Sequence, residues 1–292
     1  MTFYHHGLLR EQRFDPKRLI GEELANWAYD LEFSDIPDYV LDKVKYLALD
    51  AAGLAIPGIT AEGPSWVLNF VKSLNYPGPC TVIGTTHKAG PQYAALAAGA
   101  AVTGYSLFDS HREAQPTHCG PSNYPAAYAI SQIVKTDFPT FATALTISYE
   151  IEAKIGLCLN PGIGCIDTHQ VNVPGVALQT AKMLGLNRGQ FLDALGHACY
   201  QAAGLFEFDA RGYNIRPNNY GWLATHGIHS ALLAKAGHPA PITSLEGGYG
   251  FINQFSSKPD ISVFDKLGNP WELPHNSIKK WQGSRYMHSA ID

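Results

Sequence analysis

Five cysteines are scattered over 292 residues, at Cys80, Cys119, Cys158, Cys165 and Cys199, and none forms a CxxC pair. An odd, unpatterned set argues against a disulfide framework or a zinc ribbon and suits a reducing compartment. Basic runs are lacking too. With 21 Lys and Arg against 25 Asp and Glu, the net charge is −4 and no Lys/Arg stripe follows one face, which excludes a nucleic-acid footprint. No stretch reaches the ~18 consecutive apolar residues of a membrane span. The opening "MTFYHHGLLREQRFDPKR" has no apolar core of a secretory signal. The expectation is a soluble cytoplasmic protein with neither a nucleic-acid nor a membrane partner. The glycine-rich "LEGGYGF" and "NPGIG" do not follow a strand in a βαβ unit, so a phosphate loop is not supported.

What is present is apolar and helical. Hydrophobic residues make up 46% and charged residues 16%, a composition that favours much buried surface in one large or two modest domains. Ile20, Leu24, Trp27 and Leu31 recur at helical steps. The next helix carries Val40, Val44, Leu47, Ala51 and Leu54 on one stripe, with Ser34 or Asp35 expected as cap and Pro57-Gly58 as stop. Further helices are predicted near 64–74, 91–104, 125–135, 138–159, 173–185, 188–204 and 218–236, with one strand at "CTVIG". The small residues of 91–104 allow close backbone approach and place that helix at the centre of a bundle or at a subunit contact. The division is an N-terminal extension over 1–20, a helical domain over 21–257, and an irregular tail over 258–292.

Polar residues gather in the breaks between these helices. "FDSHREAQPTHCGPSNYP" supplies Asp109, His111, Arg112, Glu113, His118 and Cys119; a later break supplies Asp167 and His169; others supply Arg211, Arg216, Lys279, Arg285 and His288. Imidazoles titrate near neutrality and serve as acid or base, while arginine and lysine hold carboxylates. Together they suit proton transfer beside a carboxylate. Each has a plainer reading, since loops are polar and most loop histidines cap or solvate. Cys119 beside His118 suggests a thiol nucleophile only weakly, because chain neighbours rarely point at each other. His226 with His229, and Asp193 with His197, are helix-spaced pairs without a complete metal ligand set.

Several blocks then occur in one order: "LANWAYDLEFSDIPDYVLDKVKYLALDAAGLAIPG", "GPQYAALAAGAAVTG", "THCGPSNYPAAYAIS", "DTHQVNVPGVALQTAKMLGLNRGQFLDALGHA", "IRPNNYGWLATHGIHSALLAKAG", "SLEGGYGF" and "IKKWQGSRYMHSAID". By these the chain resembles the MmgE/PrpD family, which includes 2-methylcitrate dehydratase, cis-aconitate decarboxylase and iminodisuccinate epimerase. The resemblance implies a mainly α fold, an MmgE/PrpD-type helical domain with an active-site cleft, here without the C-terminal lid domain. It also implies a homodimer, a small-molecule substrate, and chemistry that needs no metal or organic cofactor. Carried over by position, the family's two active-site histidines fall on His118 and His169. Its two lysines fall on Arg216 and Lys279, and a further histidine on His288.

Where the family reads D-F-D-D-T, this chain reads "LFDSH", with Leu107 at the first aspartate. Asp109, His111 or Glu113 is then expected to stand in for it. His118, His169, His111 and Asp109 are thus the expected catalytic residues, and Arg216, Lys279, Leu107 and Arg112 the expected substrate-binding ones. Leu107 and an open cleft suggest a substrate larger and less polar than methylcitrate or aconitate. The expected activity is a biosynthetic lyase, by dehydration or decarboxylation; an isomerase or cyclase, and an inactive scaffold for a full-length paralogue, are the alternatives.

Overall fold

Residues 91–102 contain seven alanines and glycines and no charged side chain, and that composition sets the architecture. In the computed structural model this segment is a central helix against which others pack at backbone distance. The structure describes residues 18–111, 113–114, 117–159, 168–212 and 216–292, except for the side chains of Thr168, Asp209 and Arg216. The helices are α1 (Ile20–Asp30), α2 (Asp38–Gly58), α3 (Glu62–Ser73), α4 (Pro91–Val102), α5 (Gly120–Val134) and α6 (Phe138–Cys158). They continue with α7 (Asn172–Met183), α8 (Arg188–Gln201), α9 (Glu207–Ala210), α10 (Arg216–Lys235), α11 (Phe251–Phe255) and α12 (His288–Ile291). The fold is mainly α, as the sequence implied.

α10 packs on α4, α7 and α8; α4 also meets α5, and α6 lies along α7. Most residues of α4 and α6, and nearly all of α7, are buried. A Cβ at Gly99 would lie 2.9 Å from the Gly221 Cα, and one at Gly221 only 2.2 Å from the Leu96 carbonyl oxygen. Only hydrogen at both places lets α4 and α10 come this close.

Strands are minimal. β1 (Cys80–Thr81) pairs antiparallel with β2 (Lys88–Ala89), so "CTVIG" yields two ladder residues, and the expected strand is short. β3 (Ser110–His111) pairs antiparallel with β4 (Asn276–Ser277), joining the first polar break to the tail. The tail is part of the body: Phe264 and Leu273 are buried in the same core, and Trp271 packs on Trp27 with centroids 5.9 Å apart.

Two boundaries differ from expectation for local reasons. α2 starts at Asp38 with Pro37 at its N-cap, because a 3-10 turn over Phe33–Asp35, closed by Glu32 and Asp35, takes up the expected cap residues. α5 starts at Gly120 rather than near 125. Pro121 sits in its first turn, where a missing N–H costs nothing. The polar loop is therefore shorter than read, and His118 stands just before a helix. Among the described residues no single helix is long and apolar enough to cross a membrane; α2 and α3 together pass on composition but are bent by 81°.

Candidate functional site

His118 is fixed from two sides. Its Nδ1 lies 2.6 Å from the Asp109 carbonyl oxygen. A carbonyl only accepts, so Nδ1 carries the proton and Nε2 keeps its lone pair. Its own carbonyl accepts from Asn172 Nδ2 at 2.7 Å, and the same amide donates to Ser122 Oγ. Asn172 opens α7 directly after the 3-10 turn Thr168–Val171 that carries His169. The loop before α5 and the turn before α7 are thereby tied together, and the two imidazoles stack at 5.3 Å with planes 21° apart.

Tyr220 of α10 closes this pair from the side, with its ring 5.1 Å from His169 and 6.2 Å from His118. Phe108 meets His118 edge-on at 4.9 Å and Tyr220 at 5.4 Å. On Phe108 sits the Lys279 ammonium, 4.3 Å from the ring centroid, a cation–π contact. The Lys279 ammonium also donates to the Ser106 carbonyl at 2.9 Å. Arg285 donates from Nη1 to the His111 carbonyl. A cavity of about 130 Å³ lies among these groups, lined by His118, Phe108, Ser110, Lys279 and Arg285 with Ser106 and Gly283–Tyr286.

Burial, then the neighbouring His169, Lys279 and Arg285, hold the His118 pKa well below the usual imidazole range. The free site thus presents a neutral imidazole facing two cations. Asp109 stands behind it. Its carboxylate is buried, accepts from the Gly120 N–H at 2.9 Å, lies against Tyr149, and is pushed up to about 6 chiefly by burial. It does not line the cavity; its service to His118 comes from its carbonyl oxygen.

His111, expected as catalytic, is placed elsewhere. It is fully buried, and its Nδ1 accepts from the Glu113 and Ala114 N–H groups at 3.2 and 2.9 Å, while Nε2 faces the Glu272 carbonyl at 3.2 Å. Both nitrogens are committed to backbone, and burial pushes its pKa down to about 4. Its polar atoms make a structural joint. Leu107 is half-buried and outside the cavity lining, so it does not shape that space. Glu113 is exposed. Arg112, Asp167 and the side chain of Arg216 lie outside the described residues. Cys119 is buried against Glu152, and burial holds its thiol well above the usual range, the opposite of a nucleophile.

His111, Glu272 and His275 bring three ligand atoms within 4.8 Å of one another. The hydrogen bonds speak against a metal there. With Nδ1 accepting two N–H groups, Nε2 must carry the proton, whereas a metal-bound imidazole donates from its other nitrogen. Asp193 and His197 likewise serve backbone groups, binding the Ala240 N–H and the His238 carbonyl.

His118, His169 and Lys279, expected in one site, are gathered by the structure. Tyr220 is not among the residues expected from the sequence, and Arg285 is expected only as a polar residue of the tail. A signal for Tyr220 existed: it lies one helical turn beyond Arg216, on the same face of α10. Residues 22–263 match the MmgE/PrpD N-terminal domain. Cis-aconitate decarboxylase from Aspergillus terreus is 34% identical over 295 residues, covering 94% of this chain and 59% of that protein. Cis-aconitate decarboxylase-like protein oryM of Aspergillus oryzae is 27% identical, covering 90% and 58%. Human cis-aconitate decarboxylase is 25% identical, covering 85% and 54%. The chain spans less than two thirds of the length of these curated relatives.

Proposed function

This chain belongs to the MmgE/PrpD family, and from that premise we propose that its cavity performs acid/base lyase chemistry on a small polycarboxylate of the cis-aconitate kind. The observation that carries the proposal is the neutral His118, stacked on His169, across a cavity from Lys279 and Arg285. A volume of about 130 Å³ suits a small acid better than the bulkier, less polar substrate that Leu107 suggested.

The two cations would hold a substrate carboxylate, Arg285 with its planar fork and Lys279 as a point charge. Burial, and after it the positive field, hold the His118 pKa down; binding an anion offsets that field, so in a decarboxylation His118 takes up a proton as substrate enters. In a decarboxylation the C–C bond to one carboxylate then breaks and carbon dioxide leaves. The electron pair stays on the carbon, spread toward the acid group that the cations retain. The His118 imidazolium gives its proton to that carbon and returns to neutral. Dehydration uses the same parts in the other order and starts from the neutral His118 of the free site: the imidazole removes the proton beside the carboxylate, the C–O bond breaks, and the imidazolium returns that proton to the departing hydroxide, which leaves as water. The buried Tyr220, Phe108 and His169 rings pack around His118 and shield it from bulk solvent, which strengthens each charge interaction. All the steps use side chains of the chain itself.

The test is carbon dioxide release from cis-aconitate by purified protein, alongside a series of small hydroxy- and unsaturated polyacids. General acid–base assistance is worth ~10²–10⁴-fold, so His118→Ala should lose at least a hundredfold. Equal turnover by wild type and His118→Ala would remove the basis of the proposal.

A further inference from the structure

α6 is an apolar helix with two buried carboxylates in its middle, Glu150 and Glu152. Glu150 is fully buried, and an ionisable group is placed there at a cost unless it binds something specific. What it binds is the backbone of the tail. Its Oε2 accepts from the N–H groups of Glu272 and Leu273 at 2.8 and 3.1 Å.

Glu272 is held at its remaining polar atoms as well. Its carbonyl faces Nε2 of His111 at 3.2 Å; its Oε1 binds Lys154, one turn beyond Glu150 on α6, at 3.2 Å; and its Oε2 lies 3.2 Å from His275. From this anchored residue the chain runs through β4, paired with β3, to Lys279 and Arg285. Arg285 and the Gly283 N–H return to the His111 and Ser106 carbonyls. The imidazole wall comes from the helical body, and the cationic wall comes from this strap.

We infer that Glu150, acting with Lys154 through Glu272, is a positioning residue: it sets the distance between the cations of the strap and the imidazoles of the body. The inference rests on the reading that the cavity takes a carboxylate. Burial pushes the Glu150 pKa up to about 7, which fits a carboxylate retained for its two backbone acceptor bonds in spite of the cost. Beside it stand Lys154 on its own helix and Glu272 on the strap, and Glu272 in turn meets His275 and His111.

The experiment compares Glu150→Leu, which has no acceptor, with Glu150→Gln, which keeps an acceptor oxygen of the same reach. Amide hydrogen exchange over 272–286 and steady-state kinetics on cis-aconitate are read together. Glu150→Leu should speed exchange at Glu272 and Leu273 at least tenfold and raise KM at least tenfold with a smaller change in kcat; α4 and α10 should keep their protection. Glu150→Gln should restore both toward wild type. Should Glu150→Leu fail to fold, Glu272→Ala removes the Lys154 and His275 contacts of the same joint, with the same KM rise expected. Unchanged exchange in the strap overturns the inference, and so does faster exchange with KM unchanged. Wild type that neither turns over cis-aconitate nor binds tricarballylate would refute the carboxylate reading instead, and strap exchange would still decide whether Glu150 is the anchor.

Discussion

Replacing Asp109 by asparagine isolates one buried carboxyl without changing its shape. Burial raises its pKa from 3.8 to about 6, against the opposing hydrogen bond from Gly120. A shift of about two units is worth about 3 kcal/mol at ~1.4 kcal/mol per unit. The sign follows from proton binding. Between the unfolded and folded values the native state holds the proton and the unfolded state has released it, so stability falls as pH rises. That loss is absent below the unfolded value and complete above about 6. Asparagine keeps an oxygen for the Gly120 N–H and leaves the carbonyl that orients His118 in place, but it cannot titrate. Denaturant unfolding of both proteins from pH 2.5 to pH 8 gives a difference curve in which groups that do not interact with Asp109 cancel; Asp50, which does, is replaced by asparagine in both proteins. The stability of the protein that keeps Asp109 relative to Asp109→Asn should decline by about 3 kcal/mol across this window and then level off. A flat difference curve, or one that climbs with pH, would show that the carboxyl is solvated in solution and would undo the account of the wall behind His118.

Gly120→Ala places a Cβ 2.8 Å from Asp109 Oδ1; overpacking of this kind costs ~1–3 kcal/mol, to be read as a lowered Tm, with lyase activity falling further than stability alone explains. Phe108→Leu removes the ring shared by His118 and the Lys279 ammonium; the lost cation–π contact, ~0.5–2 kcal/mol, should appear as a weaker KM for the polyacid. Gly53 lies in α2 with open space where a Cβ would go, so Gly53→Ala should stabilise the protein by ~0.5–1 kcal/mol in denaturant unfolding without touching activity. Isothermal titration of tricarballylate in buffers of different ionisation enthalpy should report proton uptake on binding to wild type and lose it in His118→Ala.

Helical content and helix order were legible because α1, α2 and α6–α8 repeat apolar residues at helical steps over long stretches, and such periodicity needs no tertiary information. The start of α5 was not, since Pro121 and Pro125 read as loop residues until one sees that the first occupies the first turn. Among site residues, His118 and His169 stood out as imidazoles in polar breaks, and the resemblance paired them with Lys279. The place of His111 could not be read, because whether a histidine faces a substrate or two backbone N–H groups is decided by a two-residue ladder with Asn276 and Ser277, far along the chain. Glu150 was hidden for a related reason: within "ISYEIEAKIG" it looks like a solvent-facing residue of an amphipathic helix, and only the packing of both helix faces shows that it cannot be one.

Dividing the site between body and strap gives it an economy that a single loop would lack. His118 must be dry and rigid to keep its depressed pKa, and it is tied to Asn172, which follows the turn that carries His169, between α5 and α7. Cations gain nothing from such burial, since desolvation works against their charge. Lys279 and Arg285 therefore reach in from a half-exposed segment and spend their donors on the Ser106 and His111 carbonyls. A substrate carboxylate competes for those donors on arrival. Polyacid affinity should accordingly respond to any change that loosens the strap, while the proton-transfer step responds to changes behind His118. Glu150→Leu and Asp109→Asn fall on opposite sides of that division, and combining them should give additive effects on KM and on the pH dependence of stability, because the two carboxyls share no hydrogen-bond partner.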